Sequence, residues 1–185
     1  TCSTAAGRGH LELLQWAHAN GCRLSETICN RAAEGGSVEL LHWLHKVVGR
    51  PWNWVTSAKA AEHGHLAVVQ YLHAAGCEWS RYSCADAAKG GHPGILQWLH
   101  ENGCPWDEST CAEAARCGRL STLQWARENG CPWVFETCID AAEGGHLEVL
   151  KWARSEGCPW GEPVCSTAAR YGHLDVLIWA RENGC

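Results

Sequence analysis

The 185-residue chain has no methionine and one phenylalanine, and no apolar run approaches the roughly 20 residues that a bilayer-spanning helix needs. No stretch shows the basic, apolar, small-residue order of a signal peptide, so a membrane role is not expected. Clustered positive charge is missing too. The net charge is -5, and the 15 Lys and Arg are spread along the chain, whereas a phosphate-binding surface gathers them. Nucleic acid is therefore not an expected partner. There is no Gly-rich phosphate loop, Gly-x-Ser-x-Gly elbow or His-Glu-x-x-His stretch. No alternating apolar pattern is long enough for a strand. These gaps leave an all-α protein, not an enzyme, with no cofactor expected. The absence of methionine, and a pattern already under way at both ends, suggests a segment of a longer array.

What is present is repetition. Cys2, Cys29, Ser57, Cys84, Cys111, Cys138 and Cys165 stand 27 residues apart, with one step of 28 ending at Ser57. The expected organisation is one solenoid domain, 1–185, of seven repeats: 1–26, 27–54, 55–81, 82–108, 109–135, 136–162 and 163–185.

Each repeat reads as two short helices. Ser25, Asn53, Ser80 and Asp107 are residue types that cap a helix by accepting backbone N–H groups, so a first helix is expected to start there. It runs through an Ala-Ala pair found in every copy, from Ala5-Ala6 to Ala168-Ala169, whose small side chains let neighbouring helices approach. A glycine follows three residues later, as at Gly118 and Gly145, where the chain must reverse. A second helix carries apolar residues such as Leu147, Val149, Leu150, Trp152 and Ala153, and closes on another glycine, Gly157.

Tryptophan falls into two registers. One is in the second helix, at Trp16, Trp43, Trp98, Trp125, Trp152 and Trp179, with Tyr71 in the third copy. The other is in the linker, at Trp52, Trp79, Trp106, Trp133 and Trp160. They are expected to form two stacked ladders that supply much of the core, with a solvent-facing aromatic groove as the alternative. Histidines after the turn glycines, as at His65 and His173, are expected to hold the turn by hydrogen bonding.

The 13 cysteines recur with the repeat, in pairs separated by six residues: Cys22/Cys29, Cys77/Cys84, Cys104/Cys111, Cys131/Cys138 and Cys158/Cys165. Structural zinc sites gather four ligands, commonly with two to four residues inside a ligand pair, so no metal is expected and buried free thiols are the leading reading. Disulfides and metal remain alternatives. Free buried thiols fit a reducing compartment, hence a cytoplasmic, intracellular location. Cys117, out of register, is expected to be an exposed thiol.

The run from Ala141 to Cys158, with Ala-Ala, Gly-His-Leu-Glu-Val-Leu-Lys-Trp-Ala and a closing Gly-Cys, resembles the ankyrin repeat. The resemblance covers the whole chain. It implies a right-handed stack of helix-turn-helix units, a solenoid that serves as a scaffold for a protein partner. An ankyrin unit has about 33 residues; the deficit here falls in the linker, where the ankyrin β-hairpin finger lies. Binding by fingers is therefore not implied. The Thr-Pro-Leu-His opening of the ankyrin first helix is also replaced, by forms such as Thr110-Cys111.

Partner choice is expected at positions that escape the repeat. In the first helices these are Arg31, Glu34, Lys59, His63, Asp86 and Lys89 in the earlier copies, and Glu113, Arg116, Asp140, Glu143, Arg170 and Tyr171 in the later ones. The resemblance implies that they line the concave face. The alternative function is a cysteine-based metal-binding or redox-buffering array.

Overall fold

A computed structural model of the chain describes residues 2–185. Among them are fourteen helices and no strand. The first helices of the seven pairs are α1 (Cys2–Gly7), α3 (Ile28–Glu34), α5 (Trp54–Glu62), α7 (Arg81–Gly90), α9 (Glu108–Arg116), α11 (Phe135–Glu143) and α13 (Glu162–Tyr171). The second helices are α2 (Leu11–Ala19), α4 (Val38–Lys46), α6 (Leu66–Ala74), α8 (Pro93–Glu101), α10 (Leu120–Glu128), α12 (Leu147–Ser155) and α14 (Leu174–Glu182).

Helices this short cannot stand alone, so their ends are fixed by caps and their sides by neighbours. At α5, α7 and α9 the side chains of Asn53, Ser80 and Asp107 accept backbone N–H groups from the first turn, as expected. A reciprocal arm comes from the residue just before the cysteine register. The Asn53, Ser80 and Val134 N–H groups donate to the hydroxyls of Thr56, Ser83 and Thr137 at 3.3–3.4 Å. The Thr137-Cys138 opening works this way, whereas the buried Thr110 hydroxyl of Thr110-Cys111 makes no such bond. Ser25 does not cap: α3 is preceded by Thr27 instead. Here the linker has Leu24 in place of a tryptophan; Leu24 is buried, and the chain makes an extra turn closed by Ile28 N–H to the Ser25 carbonyl.

The turn between helices follows one pattern. At the end of α11, Gly145 adopts φ +72° and its N–H reaches the Ala142 carbonyl at 3.3 Å, while the His146 N–H reaches Ala141 at 2.9 Å. This is a Schellman closure, which needs a left-handed residue. The same bonds recur at the ends of the second helices other than α4, as where Cys158 N–H reaches the Ala153 carbonyl at 2.9 Å past Gly157; at α4 the extra residue makes Arg50 N–H reach the Leu44 carbonyl at 2.8 Å instead.

First helices of successive repeats pack more intimately than second helices do, which bends the array toward the first-helix side. The cause is the alanine pairs: Ala32, Ala33, Ala60, Ala61, Ala87, Ala88, Ala114, Ala115, Ala141 and Ala142 have no exposed surface. Between the helix layers lies a continuous core of Leu14, Leu41, Val69, Leu96, Leu123 and Leu150 with the register cysteines.

The tryptophans are not that core. None is buried; those at the linker and second-helix registers pack against its edge, apart from Trp16, which is 69% exposed. Nor are there two separate ladders. Each linker indole meets the second-helix aromatic of the following repeat, with Trp79–Trp98, Trp106–Trp125, Trp133–Trp152 and Trp160–Trp179 at centroid distances of 5.5–6.0 Å, and Trp52 meets Tyr71 likewise. Its other side is covered from its own repeat: His45, His73 and His100 stack on Trp52, Trp79 and Trp106, and the Arg127 and Arg154 guanidiniums lie over Trp133 and Trp160. The result is one interleaved seam. An indole is too large for the gap that alanine-lined helices leave, so it seals the rim.

Candidate functional site

The first helices bring their register positions onto one face, and eight charged residues form a continuous stripe across α5, α7, α9 and α11. Lys59 and Lys89 both hold Glu62, at 2.6 and 2.7 Å, tying α5 to α7. Asp86 stands among Glu62, Lys59, Lys89 and Glu113. Glu113 pairs with Arg116, and Asp140 lies in the field of Arg116 and Glu143. Glu62 was not singled out in the sequence, although it shares a register with Glu34 and Lys89. That shared register was the available signal.

The remaining predicted residues lie at the ends of this stripe. Arg31 pairs with Glu34 at 2.7 Å, and both line, with His63, a shallow hollow of about 610 Å³ beside α1. His63 donates through its ring to the Lys59 carbonyl at 3.0 Å. Arg170 and Tyr171 are exposed at the end of α13, with no bond to the stripe. A second hollow, about 430 Å³, opens at the irregular junction near Asn30, Arg50 and Trp52.

The stripe is electrostatically uneven. Burial alone would raise the Glu62 carboxyl, but bonds to Lys59 and Lys89 outweigh it and hold the pKa down at about 2. Burial raises Asp86 to about 6, helped by Glu62 and opposed by the two lysines. Burial also raises Asp140 to about 6, against the pull of Arg116 and with help from Glu143. Folded Asp140 therefore binds its proton more tightly than the unfolded chain, whose ordinary value is 3.8. Stability from this group is full below pH 3.8 and falls as pH rises through 6. Glu62 acts the other way: its contribution is full above 4.5 and is lost as pH falls toward 2. Asp140→Asn should thus raise stability at pH 7 by on the order of 1 kcal/mol after allowance for solvent screening, and flatten the decline between pH 4 and 6. Urea denaturation of both proteins across that range measures it; parallel pH profiles would contradict it.

The turn histidines act between repeats. His65, His92 and His173 donate to the Glu34, Glu62 and Glu143 carbonyls of the preceding first helix at 2.9–3.2 Å, and Arg119 does the same to Lys89. The expected turn bond is therefore an inter-repeat clasp.

The cysteines pair differently from their spacing in sequence. The first-helix cysteine meets the closing cysteine of its own repeat, 20 positions on. Cys2 and Cys22 are 2.7 Å apart at Sγ, and Cys165 and Cys185 are joined as a disulfide, so the free-thiol reading is corrected there. Cys84, Cys111 and Cys138 face Cys104, Cys131 and Cys158 in the same way. Pairs separated by six residues do not form because the linker carries the next cysteine one repeat along. Cys117 is half-buried at the end of α9, not exposed. Among the described residues no group of three or more His, Cys, Asp or Glu side chains is arranged to hold a metal.

No protein-family model matches the sequence, and no curated protein matches it. Solved structures do. The ankyrin repeat domain of human ASB11 aligns with a TM-score of 0.65 at 18% identity, over 96% of this chain and 96% of that one. The fold is that of an ankyrin repeat array. Within that fold the linkers are short: Cys104–Asp107 and Cys131–Val134 join closing glycine to first helix without a strand. Among the described residues no helix is long and apolar enough to cross a membrane.

Proposed function

We propose that this ankyrin array is a non-catalytic scaffold that binds a protein partner through its concave, first-helix face. The observation that carries the proposal is the continuous stripe from Lys59 to Asp140. It breaks an otherwise strict repeat, and it sits on the side toward which the array bends. Its signs alternate over short distances. That suits a protein surface of complementary mixed charge better than a polyanion, whose phosphates demand one sign throughout. Mixed charge of this kind selects partners and speeds encounter more than it adds affinity, so specificity is expected to depend on salt. Arg31, Glu34, His63, Arg170 and Tyr171 would extend the surface at its two ends.

The test is affinity purification with the array and with a Glu113→Lys, Arg116→Glu, Asp140→Lys variant, compared by quantitative mass spectrometry. Proteins recovered by the parent and lost at least tenfold by the folded variant are the expected result. Unchanged recovery would remove the concave face from consideration.

A further inference from the structure

We infer that the array carries a ladder of oxidation sites in which the first-helix and closing cysteines of one repeat form a disulfide, at Cys2–Cys22, Cys84–Cys104, Cys111–Cys131 and Cys138–Cys158 alongside Cys165–Cys185. The inference is independent of the proposed partner face. It starts from the two ends of the ladder. Cys165 and Cys185 are already joined, with Cα atoms 6.3 Å apart, inside the range that a disulfide spans. Cys2 and Cys22, at the opposite end of the array, have their sulfurs 2.7 Å apart.

The inner pairs share that backbone. Every closing sulfur from the third repeat onward lies beside the carbonyl 24 positions earlier: Cys77 by Asn53, Cys104 by Ser80, Cys131 by Asp107, Cys158 by Val134 and Cys185 by Gly161, at 3.2–3.7 Å. The closing sulfur of each inner pair is therefore placed as in the pair already joined. Two repeats lack a pair because one member is replaced. Ser57 holds the register position 20 residues before Cys77, with its buried hydroxyl left without a hydrogen-bond partner, and Cys29 faces the Arg50 backbone. These are built-in controls.

The chemistry needs an oxidant, and the class that fits is a small-molecule disulfide such as oxidised glutathione. One protein thiol loses its proton and attacks a sulfur of that disulfide, forming a mixed disulfide and releasing one small thiol. The second protein thiol loses its proton, attacks the mixed disulfide and releases the other. Two protein thiols are oxidised and one disulfide is reduced to two thiols. In the Cys111–Cys131 and Cys138–Cys158 pairs the closing cysteine is the natural nucleophile. Hydrogen bonds from Cys111 and Cys138 hold the Cys131 and Cys158 thiols below the usual range, while Cys111 and Cys138 are pushed well above it, first by the same bonds and then by burial. The half-buried Cys2–Cys22 pair should react before the buried inner ones, which need a repeat to open. Each bond ties the start of a first helix to the end of the second, so oxidation stiffens repeats one by one.

The test uses the chain as it stands. Reduced protein is incubated folded with excess oxidised glutathione, quenched with an alkylating agent and mapped by peptide mass spectrometry. Five intra-repeat disulfides are expected, with the glutathione or alkyl label confined to Cys29, Cys77 and Cys117. Ser57→Cys should add a sixth crosslink, between position 57 and Cys77, and free Cys77 from label. Crosslinks between cysteines separated by six residues, or label on both members of the inner pairs after prolonged exposure, would overturn the inference.

Discussion

Gly145→Ala is expected to destabilise the array by roughly 2–4 kcal/mol, the sum of a left-handed backbone cost and a forced displacement. Gly145 adopts φ +72°, and a Cβ there would lie 2.5 Å from the His173 ring nitrogen Nδ1. That ring cannot swing aside freely, because its Nε2 donates to the Glu143 carbonyl at 2.9 Å. The substitution therefore strains the turn within one repeat and the clasp to the next. Gly157→Ala separates the two effects. Its φ is +79°, but nothing lies within 4 Å of the added carbon. Only the backbone cost remains, about 1 kcal/mol. Denaturant titration compares the two variants; equal losses would show that the His173 clasp adds nothing to the cost.

Leu150→Ala is expected to cost about 2–5 kcal/mol, because the side chain is fully buried between the helix layers and its loss leaves a cavity. Trp16→Ala should change stability by no more than about 0.5 kcal/mol. Trp16 shares a register with Trp43, Trp98, Trp125, Trp152 and Trp179, so the sequence treats all six alike. Trp43, whose preceding linker carries Leu24, is met instead by the His18 ring at 5.8 Å, whereas among the described residues no ring meets Trp16, which is left 69% exposed. Thermal or chemical unfolding distinguishes a core of leucine and alanine from one of tryptophan. A larger loss at Trp16 than at Leu150 would place the core at the tryptophans.

Helix starts, turns and their order were legible because they depend on local chemistry. A left-handed turn admits glycine and little else, and a first turn needs an oxygen acceptor from Asn53, Ser80 or Asp107. The candidate face was legible as a set of irregular positions, but not as a network. Sequence marks Lys59, Asp86 and Lys89 as variable without showing that two lysines from different repeats converge on Glu62. The misplacements share one cause. Ser25, the tryptophan registers and the cysteine pairs were assigned from separation along the chain, whereas their partners lie across a turn or in the neighbouring repeat.

The sequence by itself determined the repeat, the all-α class and the tight first-helix spacing, since glycine and alanine act through their own size and backbone freedom. Tertiary structure alone decided the partnerships. It interleaved the indoles with His45, His73, His100, Arg127 and Arg154, carried the turn histidines across to the preceding repeat, and placed five closing cysteines each beside the one 20 residues before it. The reason is geometric. In a solenoid one repeat of chain travel brings a residue back beside its own register, so the nearest neighbour in space is rarely the nearest in sequence.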